Sequence, residues 1–282
     1  MKILITGGKG MLAKAVIERF AQEELIVTDV EELDITNLEK VEEFVENCSP
    51  DVIINCAAYT AVDKAEEDLA LARKINRDGP KNLAIVAKKH HSILVHVSTD
   101  YVFGGDLSLE EIYQEEDAKA PVTVYGITKL EGEEAIKENA EQYYIFRTAW
   151  LYGDGNNFVR TMLKLGREKD RLTVVADQHG SPTYSVDLAD IIAQALEKKI
   201  PYGIYHTTNL GFTTWYEFTK EIFRQAGISD ENCEVVPVTS EEFIRPAKRP
   251  KNSMMSKDKI LNAGVIIPEW KDGLRRYLEI EG

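Results

Sequence analysis

Short apolar runs alternate with amphipathic stretches over the first 150 residues of the chain. The apolar runs predict five β-strands, at Lys2–Thr6, Glu24–Asp29, Asp51–Asn55, Ser92–Ser98 and Tyr143–Thr148. The stretches between them repeat apolar residues at helical spacing and predict helices over Met11–Gln22, Leu38–Cys48, Leu69–His90 and Ile127–Ala140. Strands without polar alternation are typical of a parallel sheet that is covered on both faces. The pattern therefore predicts an α/β protein with a doubly wound parallel sheet.

The alternation of apolar runs and amphipathic stretches becomes less regular after Trp150. Shorter elements are predicted at Phe158–Arg167, Leu172–Val175, Asp187–Lys198, Ile204–His206 and Thr214–Gln225. The segment Pro237–Ser253 mixes Pro, Arg, Lys and Ser, which indicates an ordered loop. We expect residues 1–150 to form a dinucleotide-binding domain and residues 151–282 to form mostly a smaller, discontinuous substrate-binding lobe. A segment near residues 185–206 is expected to return to the first domain.

Composition and charge narrow the class of protein. Of 282 residues, Lys+Arg account for 34 and Asp+Glu for 48, so the net charge is −14. This acidic balance disfavours a nucleic acid or an anionic membrane as partner, because both are polyanions. No run approaches the ~20 apolar residues of a membrane span, and the opening apolar run is too short for a signal peptide. We therefore expect a cytoplasmic protein.

The cysteines suggest neither disulfides nor a metal centre. Cys48, Cys56 and Cys233 are widely spaced and odd in number, without a C-x-x-C pair. Carboxylates on the acidic surface suit Mg²⁺ at an interface, but no ligand spacing singles out a site. The sequence therefore predicts reduced thiols and no metal site.

A glycine-rich turn separates the first predicted strand from the first predicted helix. In Thr6-Gly-Gly-Lys-Gly-Met-Leu-Ala13, the residues Gly7, Gly10 and Ala13 follow the form G-x-x-G-x-x-A. Glycines let the backbone turn tightly and approach a pyrophosphate, which then meets the free N–H groups of the helix N-terminus. Its place at the first strand–helix junction favours a Rossmann-type dinucleotide site over a purely structural turn.

Asp29 ends the second predicted strand, where an acid can bond the adenosine ribose hydroxyls. The residues that follow are Val30-Glu-Glu32, so local charge favours NADH and disfavours the extra phosphate of NADPH. The alternative is an acid that only caps the strand end. Asp34 and Ile35 follow within reach of an adenine ring, and of the two Ile35 is the better packing surface for it.

Tyr125 and Lys129 lie one helical turn apart in Tyr125-Gly-Ile-Thr-Lys129. In a hydride-transfer enzyme the tyrosine donates its proton to a carbonyl oxygen, and a nearby ammonium lowers the phenol pKa from ~10. The lysine can also hold the nicotinamide ribose. A second such pair, Tyr216–Lys220, has aromatic neighbours that indicate packing. Tyr125 is therefore the predicted catalytic tyrosine.

Ser98, Thr99 and Asp100 follow the fourth predicted strand. Open α/β sheets bind ligands at the carboxyl ends of their strands, so these residues are placed to reach one. The Thr99 hydroxyl is suited to bond the same carbonyl oxygen as Tyr125 and orient it. The alternative is a hydroxyl that caps the strand end.

The glycine turn, Thr99 and the Tyr125–Lys129 pair resemble the extended short-chain dehydrogenase/reductase superfamily. Further segments resemble one branch of it, the dTDP-4-dehydrorhamnose reductases, over nearly the whole chain. These segments are Asn55–Glu66, Ser98–Phe103, Arg147–Gly153, Asp177–Thr183, Thr214–Phe218 and Arg249–Ser253.

The resemblance implies reduction of the C4 ketone of dTDP-4-dehydro-β-L-rhamnose to dTDP-β-L-rhamnose by NADPH or NADH, and a homodimer is common in such folds. The implied catalytic residues are Thr99, Tyr125 and Lys129. The implied cofactor-binding residues are Gly7, Gly10, Met11, Leu12, Asp29, Asp34, Ile35, Ala57, Ala58, Tyr59, Val97, Tyr125 and Lys129. The implied substrate-binding residues are Thr99, Asp100, Tyr101, Trp150 and Arg249.

Two departures from the branch are visible, Cys56 in place of the usual alanine and Gly104-Gly105 in place of Asp-Gly. Nucleotide-sugar dehydratases of the superfamily usually have Asp-Glu after the catalytic threonine, whereas this chain has Asp100-Tyr101, which favours reduction without elimination. The segment Arg245–Lys251 gathers four positive charges that suit a substrate diphosphate. The alternative is a solvated basic loop.

Two other functions stay open at this point. One is reduction of a different nucleotide-linked 4-keto-6-deoxysugar, because only the loops that contact the base and the sugar would differ. The other is a non-catalytic regulatory subunit of the same fold, which would not need an intact Thr99, Tyr125 and Lys129.

Overall fold

The computed structural model describes residues 1–229 and 231–281. Its main sheet has six parallel strands in the order β10-β5-β4-β3-β1-β2. The strands in chain order are β1 Lys2–Thr6, β2 Glu24–Thr28, β3 Val52–Asn55, β4 Ile93–Thr99, β5 Tyr143–Thr148, β6 Leu151–Tyr152, β7 Arg171–Val175, β8 His179–Gly180, β9 Thr183–Tyr184, β10 Gly203–His206, β11 Thr213–Thr214 and β12 Glu234–Val238. The predicted doubly wound parallel α/β sheet is confirmed.

Helices cover both faces of this sheet. In chain order, the helices of the described residues are α1 Met11–Arg19, α2 Leu38–Cys48, α3 Val62–Ala65, α4 Leu69–Arg73, α5 Gly79–Lys89, α6 Val124–Asn139, α7 Phe158–Glu168, α8 Ser185–Lys198, α9 Trp215–Ala226, α10 Asp258–Asn262 and α11 Trp270–Glu281. No helix of the described residues is long and apolar enough to cross a membrane.

Successive residues of β1 pack into two separate apolar cores, because side chains alternate between the faces of a strand. Ile3 and Ile5 pack against α1 and α8, whereas Leu4 packs with Ile53 against α2 and α5. All four side chains are fully buried. Burial on both faces explains why the strands read as continuous apolar runs, and it holds their carboxyl ends at one edge of the sheet.

The helix predicted over Leu69–His90 is wrong as a single element. The chain forms α4, then a π-helical turn at Lys74–Asp78, then α5. Pro80 lacks a backbone N–H and suits only the first turn of a new helix. The buried Asn76 in the π turn bonds both the N–H and the C=O of Tyr59, and this long-range contact leaves no periodic signal.

Residues after Trp150 build a second apolar cluster around α7, α9 and α11. The strand β12 pairs with β7 and includes Pro237 and Val238, which the sequence assigned to a loop. Because proline cannot donate to a strand ladder, it obscures a strand signal. Meanwhile α8 packs against α1, and β10 pairs with β5 in the main sheet. The division into two domains stays a prediction.

Candidate active site

The glycine turn lies at the carboxyl end of β1, directly before α1. Gly7 has φ +69°, and a Cβ there would lie 2.6 Å from the backbone nitrogen of Ala57. Gly10 is the N-cap of α1 and has no side chain, so no cap hydrogen bond occupies the first N–H groups of this helix. Ala13 is fully buried against the sheet. Close backbone approach and an open helix N-terminus are what a pyrophosphate group needs. Met11 and Leu12 form the first turn of this helix.

Asp29 braces the glycine turn. Its carboxylate accepts hydrogen bonds from the backbone N–H groups of Lys9, at 2.9 Å, and Val30, at 2.8 Å. Partial burial alone raises the pKa of Asp29, but these two bonds and the Lys9 charge hold the pKa below its ordinary value. The Lys9 ammonium also pairs with Glu31 at 2.8 Å. The sequence argument for NADH therefore missed a cation beside Asp29, because Lys9 precedes it by 20 residues.

Asp34 and Ile35 take different roles in the loop after β2. Asp34 accepts hydrogen bonds from the Thr36 backbone, at 3.0 Å, and the Thr36 hydroxyl, at 2.6 Å. These bonds lower the pKa of Asp34. Ile35 is buried in the core and faces Gly79. Ile35 therefore packs in the apolar core here, and its contact with an adenine ring stays a prediction.

Two buried asparagines hold the segment Ala57–Tyr59 in place. Asn55 Oδ1 accepts from the Ala57 N–H at 3.1 Å, and Asn76 bonds the Tyr59 backbone in both directions, at 2.8 and 3.1 Å. Sequence reasoning missed both asparagines. Asn55 had a signal, a polar residue at the end of an otherwise apolar strand, whereas Asn76 had none.

Tyr125 and Lys129 both lie on α6, at its first turns. Thr123 caps this helix by accepting a hydrogen bond from the Gly126 N–H at 3.0 Å, so α6 starts earlier than predicted. Gly126 packs on the backbone of Tyr101, where a side chain would clash. Lys129 is buried; its Nζ donates to the Val97 carbonyl at 2.7 Å.

Thr99 lies at the end of β4. Its hydroxyl donates to Asp100 at 2.9 Å and accepts from the Tyr101 N–H at 3.2 Å. It also lies near enough to the Tyr125 phenol to act on the pKa of that group. The fold therefore brings Thr99 and Tyr125 together although they come from different elements.

The pKa of Tyr125 is raised in this structure and not lowered as the sequence predicted. Burial raises the pKa of Tyr125, the Thr99 hydroxyl offsets only part of this, and the Asp100 carboxylate raises it further. Burial also lowers the pKa of Lys129 to about 8, against an opposing effect of Glu133. The Lys129 amine is engaged by Val97 and His96, so it does not act on the phenol as the spacing alone suggested.

Asp100 and Tyr101 follow Thr99 directly. Burial raises the pKa of Asp100 to about 6, although the nearby Ser253 and the hydrogen bond from Thr99 act in the opposite direction. The Tyr101 ring packs edge-on against the Tyr125 ring, with centroids 5.5 Å apart. Ser253 comes from the segment Arg249–Ser253, so the second half of the chain reaches the end of β4.

Trp150 has the unusual backbone angle φ +50° for a residue other than glycine. Its ring stacks on Trp215 with centroids 3.8 Å apart and lies directly against Gly180. Strained backbone of this kind concentrates at functional sites. The neighbouring Tyr216 holds Lys220 over its ring at 5.6 Å, in agreement with its interpretation as a packing residue.

The basic segment Arg245–Lys251 is less free than its sequence suggested. Arg249 forms two hydrogen bonds with the Asp63 carboxylate, and Lys251 pairs with Asp177 at 3.3 Å. Half of its four positive charges are therefore already paired. Nothing in the sequence indicated the Arg249–Asp63 pair, because Asp63 is distant in sequence and adjacent in space. A role of Arg249 in substrate binding stays a prediction.

Among residues 1–229 and 231–281, no group of three or more His, Cys, Asp or Glu side chains could hold a metal ion. The described part of the site thus rests on a glycine turn, a helix N-terminus and a hydroxyl–phenol–amine set.

A doubly wound parallel sheet with a glycine turn after β1, a threonine at the end of β4 and a Tyr–Lys pair on the next helix defines the short-chain dehydrogenase/reductase class. Within that class, the model of the RmlD substrate binding domain matches residues 1–281, so the chain belongs to this family. The resemblance seen in the sequence is confirmed.

Individual relatives agree with this placement. The chain is 41% identical to a dTDP-4-dehydrorhamnose reductase of Aggregatibacter actinomycetemcomitans, over 97% of each chain. It is similar to the solved structure of such a reductase from Clostridium acetobutylicum, with 48% identity and a TM-score of 0.96 over 100% of this chain and 99% of that one. The Bacillus anthracis reductase, solved in complex with NADP, shares 41% identity and a TM-score of 0.94 over 100% and 99% of the two chains.

Proposed function

We propose that this chain is an NAD(P)H-dependent reductase that converts the C4 ketone of dTDP-4-dehydro-β-L-rhamnose into the hydroxyl of dTDP-β-L-rhamnose. The observation that carries the proposal is the meeting of Thr99 and Tyr125 at the carboxyl end of β4, with Lys129 one turn further along α6. The names of the relatives, at 41–48% identity over nearly full length, support the substrate.

The described residues fit a dinucleotide. Gly7 provides a cradle that a Cβ would fill, and the N–H groups at the start of α1 suit a pyrophosphate. Asp29 presents a carboxylate beside the turn for ribose hydroxyls, with Lys9 next to it. When bound, the nicotinamide supplies the hydride.

The residues of the chain supply the proton and the orientation. Tyr125 holds its phenolic proton at neutral pH, since the ordinary pKa of ~10 already ensures this and burial raises the pKa further. The protonated phenol is the form that a proton donor to a carbonyl oxygen needs. The Thr99 hydroxyl is suited to donate to the same oxygen. Lys129 is suited to bond the nicotinamide ribose through the amine that now bonds Val97. Asp100 and Trp150 are proposed to contact the sugar nucleotide.

We also propose that the protein acts in the cytoplasm without a nucleic-acid partner. Its thiols at Cys48, Cys56 and Cys233 are free, and its net charge is −14. A reduced compartment keeps such thiols free, and an acidic surface repels polyanions.

The test is a steady-state assay of the purified chain with NADPH or NADH and dTDP-4-dehydrorhamnose. We expect turnover, and Tyr125→Phe is expected to lower kcat by about 10²–10⁴-fold, because the proton donor is lost. Tyr216→Phe, in the second Tyr–Lys pair, is the matched control and should retain activity. Survival of turnover in Tyr125→Phe contradicts the mechanism. Turnover only with other nucleotide-linked keto sugars contradicts the substrate, and turnover with none favours a regulatory subunit.

A further inference from the structure

A buried chain of polar groups connects the segment after β3 to Lys129. The Ala57 N–H donates to Asn55 Oδ1 at 3.1 Å, and Asn55 Nδ2 lies 3.0 Å from His96 Nδ1. On the other side of the ring, His96 Nε2 lies 3.0 Å from Lys129 Nζ. Asn55 and His96 are register partners on the parallel strands β3 and β4. The three side chains are at most 1% exposed, so solvent does not screen the contacts among them.

The Ala57 N–H group at one end fixes the direction of the hydrogen bonds in this chain of polar groups. The N–H of Ala57 can only donate, so the Asn55 atom that faces it is the amide oxygen, which also accepts from the Thr6 hydroxyl at 2.7 Å. The Asn55 NH2 group therefore points at His96 and donates to Nδ1. A neutral imidazole that accepts at Nδ1 carries its proton on Nε2.

His96 is neutral in this environment. Burial holds its pKa well below the ordinary value. The Asn55 NH2 group also faces Nδ1, which a charged ring would turn into a second donor. Its Nε2–H group therefore points at Lys129 Nζ. An uncharged amine has a lone pair that accepts this hydrogen bond, whereas an ammonium has only donors, so the charged form would place two donors face to face.

Other groups around Lys129 do not reverse this preference. The bond from Lys129 to the Val97 carbonyl suits both the amine and the ammonium. Glu133, one turn further along α6, favours the ammonium. However, its carboxylate is held by Arg147 from β5 through two hydrogen bonds of 2.9 and 2.7 Å, with both side chains fully buried.

We propose that His96 is a positioning residue for the reductase reaction. The chain that runs from Ala57 through Asn55 and His96 favours the uncharged amine of Lys129 and thereby sets the pH at which this amine takes up its proton. The inference rests on the proposed function for its kinetic consequence, but the hydrogen-bond direction itself does not.

The first experiment determines which ring nitrogen of His96 carries the proton, and it needs no substrate. The full chain is labelled with ¹⁵N-histidine, and long-range ¹H–¹⁵N spectra report the tautomer of each ring, with His96→Gln identifying the His96 signals. We expect a neutral His96 ring protonated at Nε2 throughout the neutral pH range. A ring protonated at Nδ1, or a charged ring, overturns the proposal whatever the enzyme does with a keto sugar.

The second experiment measures kcat/KM against pH. His96→Gln offers Lys129 a carboxamide oxygen that accepts from an ammonium, so the pKa of Lys129 should rise. If the ammonium is the form that binds the nicotinamide ribose, its loss of a proton gives the basic limb of the profile, and this limb should move upward by about one pH unit. Ser92→Ala is the matched control, since it removes a buried hydrogen bond at the other end of the same strand segment, from the Ser92 hydroxyl to the Pro50 carbonyl at 2.6 Å. Its profile should not move.

A second variant keeps the test decisive if His96→Gln does not fold. In Asn55→Asp the side chain still accepts from Ala57 but can no longer donate to His96, so the ring takes its proton on Nδ1 and accepts from Lys129. The basic limb should again move upward. A folded variant with lower activity and an unmoved profile shows that the chain is only structural, which overturns the proposal.

Discussion

Arg249 and Asp63 form a bidentate ion pair, in which each terminal guanidinium nitrogen, Nη1 and Nη2, lies 3.1 Å from a carboxylate oxygen. The same carboxylate also accepts a hydrogen bond from the backbone N–H of Ala247 at 3.2 Å. Asp63 belongs to α3, just after the segment Ala57–Tyr59. The pair thus ties the proposed cofactor side of the site to the basic loop of the second half of the chain.

We expect Asp63→Asn to raise KM for the nucleotide sugar severalfold while changing kcat little. The loss of the pair loosens the loop, but a partly exposed ion pair contributes only about 0.2–1 kcal/mol to stability. Steady-state kinetics and thermal unfolding check this. Glu131→Gln, which breaks the similarly exposed Arg73–Glu131 pair, is the control. An equal change of KM in both variants contradicts the prediction.

Gly7→Ala should abolish dinucleotide binding and destabilise the fold. The new methyl group would lie 2.6 Å from the Ala57 nitrogen, and the backbone of residue 7 has φ +69°, which favours glycine. Gly227 offers a matched control, since it has the same φ of +69° with open space where a Cβ would lie. Gly227→Ala should therefore cost only about 1 kcal/mol of backbone strain. Cofactor titration by fluorescence and urea unfolding separate the clash from the strain, and equal effects of the two substitutions would contradict this account.

Asp100→Asn should stabilise the protein at neutral pH and impair catalysis. Burial raises the pKa of Asp100 to about 6 from 3.8, so its ionised form is held at a cost of up to about 3 kcal/mol. The folded state binds the proton more tightly than the unfolded state, so the contribution of Asp100 to stability falls as pH rises from about 4 to 6. Urea unfolding across this range measures it. The wild type and Asp100→Asn should differ most above pH ~6, and a constant difference would refute the assignment.

Glu133→Gln should destabilise the fold by about 3–5 kcal/mol, because it leaves the buried Arg147 without its charge partner. Both side chains have 0% exposure and lie 2.7 Å apart. The change should also lower the pKa of Lys129, since Glu133 raises it. The control is Glu134→Gln at the next position, which removes the exposed ion-pair partner of Lys137. It should change the free energy of unfolding by well under about 1 kcal/mol. A small effect of Glu133→Gln in urea unfolding would show that the pair contributes little.

Much of the fold follows from local pattern. The strands of the main sheet begin and end within one residue of their predicted limits, because continuous apolar runs are typical of strands buried on both faces. The glycine turn and the spacing of Tyr125 and Lys129 are likewise local. The break at Asn76 was missed, since its cause is a hydrogen bond to Tyr59, and nothing in the helical periodicity reports that contact.

The sequence by itself determined which strands form the main sheet and which side chains stand at the ends of those strands. These properties depend on residue type and on the fixed periods of strand and helix. Only the tertiary structure decided how the charges and protons are distributed. Lys9 reaches Asp29, Asp63 takes Arg249, and Asn55 orients His96 toward Lys129. The physical reason is that pKa values and hydrogen-bond directions depend on burial and on neighbours a few ångströms away, and the sheet makes neighbours of residues far apart in the chain.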